Sequence, residues 1–176
     1  SRFHLYRNEW TEAASFANEI ILATPTYVLA PNYAFYDGNT AEDVFSIQMT
    51  TTDNSRTGAG GWGSYYQPAA RGGRGDCPFS ANLEQAFAQE PGDRRFLVSA
   101  TGSAADAIVR RFTLKFPDAV NNVDNSPLIR VTEMYLNRAE ALAEKDGINQ
   151  PSIDLMNNLR TRAGLPTWTL ASFASK

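Results

Sequence analysis

Residues 127–164 carry two consecutive helical patterns, and no other stretch restricts the fold of this chain as strongly. Ser126 is a preferred N-cap, and Pro127 suits the first helical position because its missing amide hydrogen is not needed there. The first pattern ends at Gly147, a residue type that commonly follows the last helical turn. The second opens at a proline and closes at Gly164, so the sequence predicts a helical hairpin over residues 127–164.

Each helix of this hairpin has one apolar face. Its residues recur every three or four positions, and they are Val131, Tyr135, Ala139 and Leu142 in the first helix and Ile153, Met156, Leu159 and Ala163 in the second. Two short antiparallel helices cannot bury such faces alone. The pattern therefore predicts that neighbouring helices or a partner domain complete the core against the hairpin.

Other segments of the chain add two helices and a strand. Residues 8–22 place Trp10 and several alanines at helical spacing, and residues 80–90 follow a serine cap. Residues 42–47 alternate between apolar and polar side chains, as a short half-buried strand does. The chain is thus expected to be mainly α, with long irregular loops and a few short strands.

The residue order of the hairpin resembles the C-terminal helical pair of the SusD/RagB family of surface glycan-binding lipoproteins. The matching residues of the first helix are Arg130, Glu133, Leu136, Ala139, Glu140 and Ala141. Those of the second are Asn157, Arg160, Arg162, Ala163, Gly164, Leu165 and Pro166. The strand pattern is also similar to a family segment, through Glu42, Val44, Phe45, Ser46 and Ile47.

The resemblance implies a single SusD/RagB-like domain over residues 1–176, apparently a fragment of the C-terminal half of such a protein. Its helices would form tetratricopeptide-like pairs in an α–α superhelix. It would lie at the surface of the outer membrane, held by a lipid anchor that this sequence does not contain, and would serve nutrient uptake in polysaccharide utilisation. Its partners would be an oligo- or polysaccharide and a SusC-like TonB-dependent transporter.

Residues 53–78 form a glycine-rich stretch with three aromatic residues, Trp62, Tyr65 and Tyr66. Long loops within compact domains are usually functional or disordered, and disordered segments are poor in aromatic residues. A flat ring can stack on the apolar face of a pyranose, whose hydroxyls need polar partners. The predicted glycan-binding residues are therefore Trp62, Tyr65 and Tyr66 with Asp53, Asn54, Gln67 and Arg71. Alternatively, Tyr65 and Tyr66 cover the helical core beneath them.

An area estimate indicates how strong such binding would be. If each of three rings buries about half of its ~150–250 Å² at ~25 cal/mol/Å², the gross gain is roughly 6 to 9 kcal/mol. Association itself costs about 4 to 15 kcal/mol. Weak binding is therefore expected, which suits a receptor that hands its ligand on.

Net charge, the length of apolar runs and cysteine content limit the partners, the membrane spans and the disulfides that this sequence allows. A net charge of −3 and a pI near 5.2 argue against a nucleic-acid backbone as the main partner, because that partner requires a basic surface. No run of apolar residues is long enough to span a membrane. Cys77 is the only cysteine, so no disulfide can form within the chain.

Catalysis and cofactor binding are not expected. His4 is the only histidine and lies close to the first residue, so the usual base for a serine or cysteine nucleophile is missing or badly placed. Acidic pairs such as Glu42 with Asp43 occur in any acidic chain, and Cys77 with His4 lacks a metal-ligand spacing. The competing function is a helical-repeat adaptor that binds protein through the hairpin and has no sugar site.

Overall fold

The computed structural model describes residues 1–33, 38–54 and 61–173. Contacts within the chain divide it into two compact units. Unit 1 comprises Ser1–Pro31, Thr40–Phe45 and Ile129–Lys176, and unit 2 comprises Asn32–Asn39 and Ser46–Leu128. Part of the glycine-rich stretch, residues 55–60, lies outside the described residues. The single-domain organisation stays a prediction from the sequence.

The described part of the chain contains six α-helices and four short strands. The helices are α1 (Arg2–Tyr6), α2 (Trp10–Leu22), α3 (Trp62–Tyr66), α4 (Ala81–Gln89), α5 (Val131–Asp146) and α6 (Gln150–Arg162). The strands are β1 (Asp43–Ile47), β2 (Ser99–Ser103), β3 (Val109–Thr113) and β4 (Ser126–Arg130). The prediction of a mainly α chain with a few short strands is confirmed.

The predicted hairpin is formed by α5 and α6, but its first residues are not helical. Residues 127–130 were expected in the first helix, and this is wrong, because Ser126–Arg130 is strand β4, paired with β1. Arg130 is extended, with φ −125° and ψ 156°, and the helix begins one residue later. Pairing with a distant strand outweighs the local signal of a serine followed by a proline.

The core of unit 1 lies where α2 packs against α5. Ala13 and Ala17 of α2 are completely buried, and so is Ala141 of α5. Small side chains let two helix axes approach closely. The turn to α6 is closed by Asn149, whose side chain accepts a hydrogen bond from the Ser152 amide while the Ser152 hydroxyl accepts one from the Asn149 amide.

The N-terminal helix is shorter than the predicted 8–22, because α2 begins at Trp10 with Glu9 as its N-cap. Asn8 was expected to cap the start of that helix, but it adopts a left-handed φ of 58° and precedes the actual N-cap. It separates α2 from the short α1, which the periodicity did not predict. Asparagine tolerates this conformation better than most residues. A left-handed residue at this position prevents α1 and α2 from joining into one helix.

A buried ionic cluster joins the ends of α5 and α6 in unit 1. Glu42 is completely buried, and its Oε2 accepts hydrogen bonds from the Ala30 amide at 2.8 Å and from Arg162 Nη1 at 2.7 Å. Its other oxygen accepts a hydrogen bond from the Thr132 hydroxyl and lies 3.7 Å from Arg130 Nη1. The carboxylate is thus paired by charge and by hydrogen bonds, as a buried charge requires.

Unit 2 is built around the antiparallel pair β2 and β3, in which Ser99 lies opposite Thr113 and Ser103 opposite Val109. Phe112 of β3 is completely buried in its core. Helix α4 was predicted over residues 80–90 and runs from Ala81 to Gln89, with the Ser80 hydroxyl accepting a hydrogen bond from the Leu83 amide. This confirms the predicted cap.

The glycine-rich stretch of unit 2 is not irregular throughout. Its described part contains the five-residue helix α3 and one 3-10 turn at Ala69–Arg71. The short helix carries all three of the aromatic residues that the sequence picked out. Their side chains therefore project from a helix and not from a flexible loop.

Candidate functional site

Three aromatic rings of unit 2 pack together and form what we term the ring cluster: Trp62, Tyr66 and Phe116. The ring centroids of Trp62 and Phe116 are 5.4 Å apart, with an angle of 22° between the planes. Tyr66 lies 6.0 Å from each of them, at 17° from the Trp62 plane and 30° from the Phe116 plane. These distances and small angles are those of offset stacking. The cluster is therefore a stepped set of nearly parallel rings.

Trp62 is the most exposed ring of the cluster, with 39% of its surface accessible, while the other two rings are half-buried. Its indole Nε1 donates a hydrogen bond to the Ser126 hydroxyl at 3.0 Å. This bond, together with the stacking, fixes the plane of the indole. The ring thus offers solvent an apolar surface in a defined orientation, without its N–H group.

Tyr65 lies outside the ring cluster, although the sequence grouped it with its neighbours. Its ring carries the guanidinium of Arg74, 4.8 Å from the ring centroid, and 38% of the residue is exposed. Arg74 Nε is also 2.5 Å from Asp76 Oδ2. Successive residues of a helix point in different directions, which explains the separation. Tyr65 thus belongs to a cation–π pair beside a carboxylate.

Gln67 was predicted to contact sugar, and the structure corrects this. It has no exposed surface, and its Nε2 donates to the backbone carbonyls of Thr113 and Phe116, at 3.2 and 2.9 Å. A polar residue in a glycine-rich stretch can point inward as readily as outward when backbone carbonyls need a donor. Gln67 therefore contributes to the interior of unit 2 and not to its surface.

The other three predicted polar residues lie nearer the surface. Asp53 is exposed, and its backbone closes a turn with Thr50. Asn54 is half-buried and donates to the carbonyls of Thr50 and Thr51, which stabilises the same turn. Arg71 is exposed at the end of the 3-10 turn. Of the predicted site residues, the structure brings only Trp62 and Tyr66 into ring contact with each other.

Two glycines allow α3 to lie directly on residues 118–122. A Cβ at Gly61 would lie 1.8 Å from Asn122 Oδ1, and one at Gly63 would lie 2.4 Å from the Asp118 carbonyl oxygen. The Ser64 hydroxyl donates to Asn122 Oδ1 at 3.0 Å. Gly61 and Gly63 are therefore required by close packing, whereas the sequence predicted only an irregular loop here.

Asp118 organises the turn on which α3 lies. Burial alone would raise the pKa of its carboxyl group, but hydrogen bonds from the amides of Asn121, Val123 and Val120 outweigh burial and lower that pKa from its ordinary 3.8. The amide of Asp118 itself donates to Asp124 Oδ2 at 2.9 Å. The charged form of Asp118 thus stabilises the loop between Phe116 and Ser126.

Phe116 is the member of the ring cluster that sequence reasoning missed. It lies 50 positions beyond Tyr66, at the end of residues 108–116, whose weak alternation predicts only a short strand or extended segment. No periodicity connects the two segments. The only hint in the sequence was an aromatic residue before the polar stretch that leads to the hairpin.

The surface that the site offers to solvent is mainly that of apolar rings. Within residues 1–33, 38–54 and 61–173, no group of three or more His, Cys, Asp and Glu side chains could hold a metal ion. The cluster's own hydrogen bond, from Trp62 to Ser126, is internal. What the arrangement can do is present a flat surface to an apolar face of a ligand.

The comparison with known families and structures is consistent with this fold. Residues 108–176 match the SusD family. None of the curated proteins has a matching sequence. No helix in the described part of the chain is both long and apolar enough to cross a membrane.

Several solved structures are similar over nearly the whole chain. A SusD superfamily protein from Bacteroides vulgatus matches with a TM-score of 0.80 and 20% identity, over 98% of this chain and 41% of that one. One from Bacteroides thetaiotaomicron matches with a TM-score of 0.69 and 20% identity, over 99% and 41%. Surface glycan-binding protein A of Bacteroides thetaiotaomicron, in complex with laminarihexaose, matches with a TM-score of 0.68 and 19% identity, over 96% and 47%.

This chain thus spans less than half the length of the structures to which it is similar. The sequence match begins at Ile108 and includes Phe116 and the hairpin, whereas the structural match also includes α2 and α3. At these identities the structural matches concern the fold. Residues 108–176 match the SusD family, and the fold of the chain is similar to that of SusD superfamily structures.

Proposed function

We propose that this chain binds neutral oligo- or polysaccharides through the ring cluster. The observation that carries the proposal is the cluster itself: three nearly parallel rings, of which Trp62 is both exposed and fixed in orientation. The C–H face of a pyranose is complementary to such a surface. A similar fold that holds laminarihexaose supports an oligosaccharide as the ligand class.

The remaining predicted residues have supporting roles in this proposal. Tyr65 with its Arg74 neighbour, together with Asp53, Asn54 and Arg71, would meet sugar hydroxyls around the rings, because carboxylate, amide and guanidinium groups are suitable hydrogen-bond partners. The ring cluster would determine the place of stacking. These polar groups would contribute to the choice of sugar.

The expected affinity is low. The rings already cover part of their faces against one another, so less area remains for a sugar than the half-ring assumed from the sequence. A dissociation constant between about 1 μM and 1 mM, equivalent to about 8 to 4 kcal/mol, is the expected range. A receptor that releases its ligand to a transporter functions well in this range.

The proposal is tested by affinity electrophoresis and titration with neutral polysaccharides, including laminarin. Trp62→Ala should lose most of the retardation, because it removes the most exposed ring. Tyr6→Ala is the matched control, since Tyr6 is an exposed aromatic residue of unit 1 at 84% accessibility. Equal retardation of wild type and Trp62→Ala would exclude the ring cluster as the site.

The family resemblance extends the proposal to the whole protein. It would lie on the outer-membrane surface through a lipid anchor, and its α2, α5 and α6 would form tetratricopeptide-like pairs. It would deliver glycan to a SusC-like TonB-dependent transporter. Co-purification of the tagged protein with such a transporter from outer membranes is the expected result. A chain that recovers a protein partner and retains no glycan would instead be a helical-repeat adaptor.

A further inference from the structure

On the basis of the proposed function, we infer that Gln67 is the positioning residue of the ring cluster. Its buried side chain holds the backbone that carries Phe116 against Trp62 and Tyr66. Gln67 itself does not touch the glycan, because it has no exposed surface. Substitution of Gln67 should displace Phe116 and thereby lower the affinity of the ring cluster for glycan.

The side-chain amide of Gln67 connects the end of α3 to residues 113–116. Its Nε2 donates to the Thr113 carbonyl at 3.2 Å and to the Phe116 carbonyl at 2.9 Å. An amide nitrogen has two hydrogens, and both are used here. The two acceptors are at the two ends of the segment, so one side chain fixes the segment relative to the helix that carries the other rings.

The backbone of Gln67 fixes a third segment. Its carbonyl oxygen accepts a hydrogen bond from the Gly75 amide at 3.1 Å. Gly73 lies so close that a Cβ there would be 2.1 Å from the same oxygen. Arg74, which lies between these glycines, covers the ring of Tyr65. Gln67 thus joins the ring cluster to the cation–π pair beside it.

The side-chain oxygen of Gln67, Oε1, indicates that this residue positions the rings and does not simply stabilise the fold. Its Oε1 is buried, and no hydrogen-bond partner for it exists among the described residues. A buried polar atom without a partner is unfavourable, and an apolar side chain of similar size would avoid this cost. The geometry supplied by the two donors explains why an amide occupies the position.

The first test examines the rings without any ligand. The chain contains three tryptophans, so a protein labelled with 5-fluorotryptophan should give three ¹⁹F resonances, and Trp62→Phe assigns one of them. Gln67→Leu should shift or broaden the Trp62 resonance and leave those of Trp10 and Trp168 in place. Gln85→Leu, at an exposed glutamine of α4, is the matched control and should change none.

The second test is a double-mutant cycle on laminarihexaose binding. Gln67→Leu should weaken binding about tenfold in the wild-type background and less than about twofold in a Phe116→Leu background, because the two residues act through the same ring. A general loss of stability would weaken binding equally in both backgrounds. Equal effects in both backgrounds would overturn the inference.

The two tests separate failure of the inference from failure of the proposed function. If wild type does not bind laminarihexaose, the choice of ligand is wrong. The positioning role of Gln67 is then decided by the Trp62 resonance of Gln67→Leu alone. An unchanged Trp62 resonance in Gln67→Leu would overturn the positioning role. If Gln67→Leu does not fold, Gln67→Glu replaces it, because glutamate has the same side-chain size but lacks the two N–H donors. The Trp62 resonance and the double-mutant cycle with Phe116→Leu are then measured for Gln67→Glu.

Discussion

Unit 1 and unit 2 maintain their internal arrangement by different means. In unit 1, small residues at helical spacing, such as Ala17 and Ala141, pack α2 against α5, and the buried Glu42 joins the helix ends. In unit 2, the side chains of Ser64 in the short α3 and of Gln67, the residue after it, bond to residues 46 to 58 positions away. Repetition in sequence specifies the helix faces that pack in unit 1, where the Glu42 cluster adds contacts over 90 and 120 positions, whereas unit 2 depends on individual long-range contacts.

The largest expected effect concerns the charge buried in unit 1. Glu42→Gln should lower the free energy of unfolding by about 3 to 5 kcal/mol, because it leaves Arg162, only 8% exposed on its side chain, without the carboxylate beside it. Urea unfolding, followed by circular dichroism, measures the change.

Asp106→Asn is the control for Glu42→Gln. Asp106 pairs with Arg110 at 2.7 Å, but both side chains are exposed and the pair is screened by solvent, so its loss should destabilise the protein far less than the loss of Glu42. Equal effects of the two substitutions would mean that burial does not distinguish the Glu42 cluster from an ordinary surface ion pair.

A smaller effect is expected where α3 lies on its support in unit 2. Gly63→Ala should destabilise the protein by about 1 to 3 kcal/mol, because the new Cβ would lie 2.4 Å from the Asp118 carbonyl oxygen. Gly38→Ala is the control, since no atom lies within 4 Å of its Cβ position. Thermal unfolding measures both. A neutral Gly63→Ala would show that α3 does not need this close approach.

The smallest effect is a dependence on pH. Because the folded state lowers the pKa of Asp118, the carboxylate stabilises the fold above its ordinary pKa of 3.8, and this contribution is lost as pH falls through the lower folded value. Wild type should therefore lose stability below pH 3.8 more steeply than Asp118→Asn. Thermal unfolding between pH 2.5 and 6, about the range in which carboxyls titrate, compares them. Parallel curves would contradict the role of Asp118.

Helical spacing and capping residues predicted the helices and their ends, but not the strand pairing. The helical hairpin, the end of its first helix at Gly147 and the Ser80 cap were predicted correctly, because spacing and caps depend on residues within a few positions. Residues 127–130 were not, because pairing with β1 determines their conformation. Strand pairing depends on residues far away in the sequence, which no local pattern includes.

The candidate site shows the same limit. Trp62 and Tyr66 were found because aromatic residues are unusual in a glycine-rich stretch, and they contact each other at the i, i+4 spacing of a helix. Phe116 was missed, and Gln67 was placed on the wrong side of the surface. Both errors concern contacts between α3 and residues 113–126, which only the fold brings together.

The account depends on sugar meeting the ring cluster, and ¹⁹F NMR of the wild-type protein tests this directly. On titration of a 5-fluorotryptophan sample with laminarihexaose, the Trp62 resonance should move and saturate, while those of Trp10 and Trp168, both in unit 1, should remain in place. Saturable binding of laminarihexaose with an unmoved Trp62 resonance would contradict the account.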